Sequence, residues 1–96
     1  MKVFIDGASI RSEGDLHRFL SHALDFGPYY GANPSALWDR LSTDVERPVD
    51  IVWKNSSASR AALGEETFER IRALLLRVQA QDDSYGFGDR FSVTFA

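Results

Sequence analysis

The chain of 96 residues contains no cysteine, which excludes disulfides and thiolate metal sites and suits a reducing compartment. It has no apolar run near the ~20 residues that a membrane-spanning helix needs. The apolar part of the opening MKVFID is too short for a signal peptide, so the expected location is the cytoplasm, with no membrane partner. Lysine is scarce, two against nine arginines, and the formal net charge is −3. That balance argues against nucleic acid as a partner, because phosphate binding draws its affinity from basic patches. The arginine bias hints at a GC-rich bacterial genome. Histidine occurs twice, and His17 and His22 stand about 140° apart on a helix, so they do not share a metal as i, i+4 residues do. Both are expected to be solvated. Gly86 and Gly88 of YGFGD precede a strand pattern rather than a helix, so they do not make a phosphate loop. With no convergent nucleophile, base or metal site, the reading is of a protein that is not an enzyme and takes no cofactor and no metal.

What is present supports a folded globule. A hydrophobic fraction of 44%, with 12% aromatic residues, is far from the composition of disordered chains. The length fits one domain over residues 1–96, near the size where a single core is adequate. Lys2 to Asp6 is a β-branched and aromatic run closed by Gly7 and reads as a strand. Ser12 followed by Asp15 resembles a capping box, and Leu16, Phe19, Leu20, Ala23 and Leu24 then recur at helical spacing until Gly27-Pro28. Pro48 precedes a second strand, Val49 to Trp53. Ser56 to Leu63 is a short helix stopped by Gly64. Glu65 to Gln81 is the longest helix, with Phe68, Ile71, Leu74, Leu75 and Val78 on one face. Asp82 to Asp89 is a polar turn, and Arg90 to Phe95 alternates as a third strand.

Strands separated by helices pair in parallel through right-handed crossovers. The predicted fold is α/β: a two-layer, three-stranded parallel sheet of order 1-2-3 with about four helices. Val3, Ile5, Val49, Ile51, Trp53, Phe91, Val93 and Phe95 share the covered face. Lys2, Asp6, Asp50, Lys54, Ser92 and Thr94 supply an open polar face, unusual for a parallel sheet.

The most informative stretch is YYGANPSALWDRL, Tyr29 to Leu41. Asn33 can cap a helix whose first position is Pro34, where a missing N–H costs nothing. Leu37 and Leu41 then face inward with Pro34, Trp38 lies at the border, and Ser35, Asp39 and Ser42 face outward. Asp39 falls in the first turn and a half, where the macrodipole favours a carboxylate. The acids Asp25, Asp39, Asp44, Glu46 and Asp50 outnumber Arg40 and Arg47 across this region, a field that would steer a basic partner. The run reads as a docking surface.

Ile5 to Pro48 resembles the barstar family of intracellular ribonuclease inhibitors. The residues that carry the likeness are IDG at 5–7, IRS at 10–12, DLH at 15–17, Leu20, YYG at 29–31, Asn33, ALWD at 36–39, Leu41, Val45-Glu46 and Pro48, with Trp53 on the second strand. The resemblance implies a barstar-like fold and inhibition of a small secreted microbial ribonuclease of guanyl type, by substrate mimicry in a one-to-one complex, the free protein being a monomer. It implies a partner-binding set of Tyr29, Asn33, Ser35, Trp38, Asp39, Ser42, Thr43, Asp44 and Glu46. Asp39 would take the place of an RNA phosphate, with Tyr29 and Trp38 as rigid aromatic contacts.

The chain also departs from the family pattern. Ser35 stands where the family carries a second carboxylate, a loss that Asp44 and Glu46 are placed to offset. Thr43-Asp44 replaces a small-aromatic pair, the neighbourhood of Arg77 and Gln81 lacks acids, and the turn after the long helix is longer. These differences point to a different target or a different docking geometry. The competing reading is a barstar-fold binding or immunity module with a non-ribonuclease partner, since fold and function separate.

Overall fold

The computed structural model describes residues 1–86 and 88–96; Phe87, within the predicted 82–89 turn, lies outside the described residues. In chain order the elements are β1 (Lys2–Asp6), a 3-10 turn (Gly7–Ser9), α1 (Glu13–Ala23), α2 (Pro34–Asp39), a π-helical turn (Arg40–Asp44), β2 (Val49–Lys54), α3 (Ser56–Leu63), α4 (Glu65–Tyr85) and β3 (Phe91–Phe95). The sheet is three-stranded in the order β1-β2-β3, both pairs parallel, with Val3 opposite Ile51 and Ile51 opposite Val93. This is the α/β arrangement that the alternation of strands and helices predicts.

One face of the sheet, with Val3, Ile5, Val49, Ile51, Trp53, Phe91 and Val93, forms a single core with Leu16 and Leu20 of α1, Leu37 and Leu41, and Phe68, Ile71, Leu75 and Val78 of α4. Phe95 is half-buried and completes an aromatic cluster with Trp53, at 5.8 Å, and Phe68, at 6.2 Å. Trp53 is fully buried, and its indole N–H donates to Ser59 Oγ (3.0 Å), which donates on to the Gly7 carbonyl (2.7 Å). Gly7 is required at that crossing, because a Cβ there would overlap the carbonyl oxygens of Lys54 and Asn55.

The uncovered face is not wholly polar. Phe4 is 52% exposed, with the ammonium groups of Lys2 and Lys54 at 5.9 and 4.9 Å from its ring centre. Across this face Lys2 and Ser92 both reach the Asp50 carboxylate.

Two helix ends and one capping bond differ from expectation. α1 ends at Ala23, with Leu24 as its C-cap, rather than at Gly27-Pro28, because Asp25 takes a left-handed backbone (φ 54°) that turns Phe26 back into the core. Ser12 caps α1 through Asp15 N–H, but the Asp15 carboxylate reaches the Arg11 N–H instead of the cap's own. Asp82 to Tyr85 is the last turn of α4 rather than the start of a loop. The reason lies at the edge of the sheet. The outward N–H groups of β3, from Phe91 and Val93, donate to Asp82 Oδ2 (2.7 Å) and Gln79 Oε1 (2.9 Å), so α4 must run on to cover that edge.

Candidate partner-docking site

The candidate docking strip runs through the loop before α2, α2 itself and the π-helical turn. Asn33 Oδ1 accepts from the Ala36 N–H at 2.8 Å, while its amide donates to the Gly31 carbonyl. Pro34 occupies the first turn, as the sequence predicts. Leu37 and Leu41 are fully buried, so both helical segments are pinned to the core and their other faces look outward.

After Asp39 the hydrogen-bond ladder widens, and the Val45 N–H closes it by donating to the Arg40 carbonyl at 3.1 Å. Such a bulge loosens the helix and rotates the residues that follow. The Thr43 hydroxyl donates back to the Asp39 carbonyl at 2.6 Å. Asp39 is therefore the last residue of a six-residue helix, beyond the first turn where the macrodipole acts, and the dipole argument for its charge does not hold. Its carboxylate is exposed and has no hydrogen-bond or ion-pair partner among the described residues.

The two tyrosines have opposite fates. Tyr29 is 90% exposed. Tyr30 is half-buried, packs on Phe26 at 4.8 Å, and places its hydroxyl 2.6 Å from His17 Nδ1. His17, expected to be solvated, is instead buried, with Nε2 3.0 Å from the Glu13 carboxylate. The His17 hydrogen bond, with that from Arg70, holds the Glu13 carboxyl below its ordinary value against the effect of burial. With Glu13 ionised, Nε2 carries the hydrogen and Nδ1 accepts from Tyr30. Burial, and then the Glu13 charge, push the Tyr30 hydroxyl up to about 12, so it stays a donor. The chain Arg70–Glu13–His17–Tyr30 thus fastens the loop that carries Tyr29 to α1 and α4.

The far end of the strip is fastened by Arg47. Its Nε and Nη2 meet the Asp82 carboxylate at 2.8 and 3.1 Å, and Nη1 donates to the Val45 carbonyl at 2.7 Å. These bonds hold the Asp82 carboxyl below its ordinary value despite burial. The Arg47–Pro48 peptide that leads into β2 is cis.

The nine predicted site residues do not all gather in one hollow. Ser35 and Trp38 border a cleft against α4 that also includes Arg70 and Arg77. Ser42 and Thr43 border a separate hollow with Arg47, Asp82 and Tyr85. Tyr29, Asn33, Asp39, Asp44 and Glu46 are exposed. Asp44 is 3.6 Å from Arg40, which makes Glu46 the freer of the two acids offered in place of a carboxylate at position 35. Sequence reasoning misses His17, Arg47 and Asp82 as supports. Asp82 continues the inward 68-71-75-78 spacing and His17 precedes Leu20 and Leu24 by three and seven, so periodicity carried the signal and polarity hid it. Among the described residues no group of three or more His, Asp or Glu is placed to hold a metal, and no helix is long and apolar enough to cross a membrane.

Residues 1–95 match the family model described as "Barstar (barnase inhibitor)". The chain belongs to the barstar family. A relative named "Putative ribonuclease inhibitor YrdF", from Bacillus subtilis (strain 168), is 43% identical over 63 residues, 66% of this chain and 69% of that protein. The strip of this family member exposes Tyr29, Asp39, Asp44 and Glu46 and is tied at its two ends by His17–Tyr30 and Arg47–Asp82.

Proposed function

We propose that this protein inhibits a small secreted microbial ribonuclease of guanyl type by filling its active site, with Asp39 in place of an RNA phosphate. The observation that carries the reading is the exposed, unpartnered Asp39 carboxylate on a segment whose Leu37 and Leu41 are fully buried. Carboxylates are normally solvated without consequence. This one follows Trp38 on a segment whose backbone is held to the core by Leu37 and Leu41, so little backbone freedom is lost when it meets the cations of a phosphate site. The barstar family and the named relative supply the class of partner. The complex is one-to-one, forms in the cytoplasm of the producing cell, and involves neither nucleic acid nor membrane. Asp44 and Glu46 add negative field that speeds association.

The test is titration of the protein against a panel of secreted microbial ribonucleases, following RNA cleavage at two ionic strengths, with Asp39→Ala in parallel. Stoichiometric inhibition, faster association at low salt, and a loss of roughly 2 to 5 kcal/mol or more in the variant are expected. If the folded protein inhibits no member, a non-ribonuclease partner becomes the better reading. If Asp39→Ala inhibits as well as the parent, phosphate mimicry by this residue is wrong.

A further inference from the structure

Between α2 and α4 lies an open cleft of ≈ 420 Å³, with Pro34, Ser35 and Trp38 on one wall and Arg70, Leu74 and Arg77 on the other. Its charge is opposite to that of the strip it adjoins. No carboxylate lines it, although Asp39 follows Trp38 in the chain and Asp44 and Glu46 are exposed a few residues on. Arg70 is already engaged, at 3.2 Å from Glu13. Arg77 is not. It is exposed, its guanidinium centre sits 5.0 Å from the middle of the Trp38 ring, and it has no ion pair among the described residues. An arginine resting on an indole is held in place by the ring's negative face and keeps its fork of donors for a planar acceptor. In an acidic protein, an immobilised cation with spare donors at the mouth of a half-apolar cleft is complementary to a carboxylate.

We propose that this cleft receives an aspartate or glutamate side chain of the partner ribonuclease, held by Arg77 over Trp38, with the Ser35 hydroxyl within the same cleft as a further donor. The proposal rests on the inhibitor reading above and adds to it a determinant of partner choice. Asp39 meets the enzyme's cations, while Arg77 meets an acid beside them. Two contacts of opposite sign on adjoining surfaces fix the register of docking more tightly than a uniformly acidic strip could. An enzyme with a basic or bulky residue at the matching place is rejected. A phosphate group is the weaker occupant, because a polyanion is repelled by the chain's net charge of −3 and by the exposed Asp39 next to Trp38.

The experiment uses the full chain and whichever ribonuclease of the panel it inhibits. Association and dissociation rates are measured for the wild type, Asp39→Ala, Arg77→Ala and Arg77→Glu, with thermal melts to show that the exposed Arg77 substitutions leave folding intact. Arg77→Ala is expected to weaken binding about tenfold and Arg77→Glu about a hundredfold, mostly through dissociation. One enzyme variant in which a surface acid is reversed to lysine should restore binding by Arg77→Glu. Wild-type binding with loss in Asp39→Ala but none in Arg77→Glu overturns the cleft proposal and leaves the inhibitor reading standing; no inhibition by the wild type overturns both. Binding of a short single-stranded RNA that Arg77→Glu abolishes would assign the cleft to a phosphate, and a dimer of the free chain that Arg77→Glu splits would assign it to a second copy; either overturns the carboxylate assignment.

Discussion

Among single residues, Asp82 carries the most structure outside the apolar core. It is 4% exposed, and it satisfies both a two-pronged guanidinium from Arg47 and the Phe91 N–H. Removing one partner of a buried pair leaves the other uncompensated, a larger loss than the net worth of the pair. Asp82→Ala is therefore expected to cost about 3 to 5 kcal/mol in urea unfolding. Asp82→Asn, which keeps an acceptor for Phe91, should cost less. A loss below about 1 kcal/mol for the alanine variant would mean that water replaces the carboxylate and that the tie is unimportant. Asp82 and His17 were legible as inward positions from their spacing, yet their polarity made solvent the natural expectation. What makes their burial possible is the partner, Arg47 for one and Tyr30 with Glu13 for the other. Arg47 comes from a distant part of the chain and Tyr30 from a loop, and neither leaves a local pattern; only Glu13, four residues before His17 on α1, stands at a spacing that could be read.

Among elements, α2 is too short to stand alone. Six residues barely exceed the costly first turn of a helix, so the segment depends on its cap and on the burial of Leu37 and Leu41. Asn33→Ala removes the Oδ1 acceptor for the Ala36 N–H and is expected to lower stability by about 1 kcal/mol, whereas Asn33→Gly should cost only a few tenths. Thermal melts of the two variants check the difference, and equal losses would show that the N-cap preference of alanine against glycine does not govern this position. The start of α2 was fully legible, because Asn-Pro encodes a cap and a first turn in two residues. The π-helical turn after it was not, since an i+5 ladder over five residues has no periodicity to read. The end of α4 is hidden for a related reason: Asp82, Asp83 and Ser84 look like a loop, and only the edge of β3 explains why the helix continues through them.

For the whole molecule, the shifted groups set a stability profile with pH. Glu13 and Asp82 both lie below their ordinary values of 4.5 and 3.8 in the folded chain. Their contribution is therefore complete at neutral pH and is lost as pH falls through those values toward the lower folded ones. Tyr30 is raised from 10.0 to about 12, so its contribution is present below 10.0 and is lost as pH rises toward about 12. The urea midpoint is expected to be level around neutrality, with an acid limb that is shallower in Asp82→Asn and an alkaline limb that is shallower in Tyr30→Phe. Limbs of unchanged slope in both variants would show that other groups govern the profile.

The sequence by itself determined the strands, their parallel order, the covered sheet face and the capped start of α2, because each is encoded by short-range periodicity and by residues with restricted backbones. It also carried the family, through the YYG, Asn33 and ALWD residues. Tertiary structure alone decided that Tyr29 faces outward while Tyr30 is tied to a buried His17, that Asp82 seals the β3 edge, and that Arg77 rests on Trp38. Each of these depends on where a side chain from one element meets a group on another. Such meetings are fixed by packing geometry and by the need to pair buried polar atoms, and no window along the chain contains both partners and the space between them.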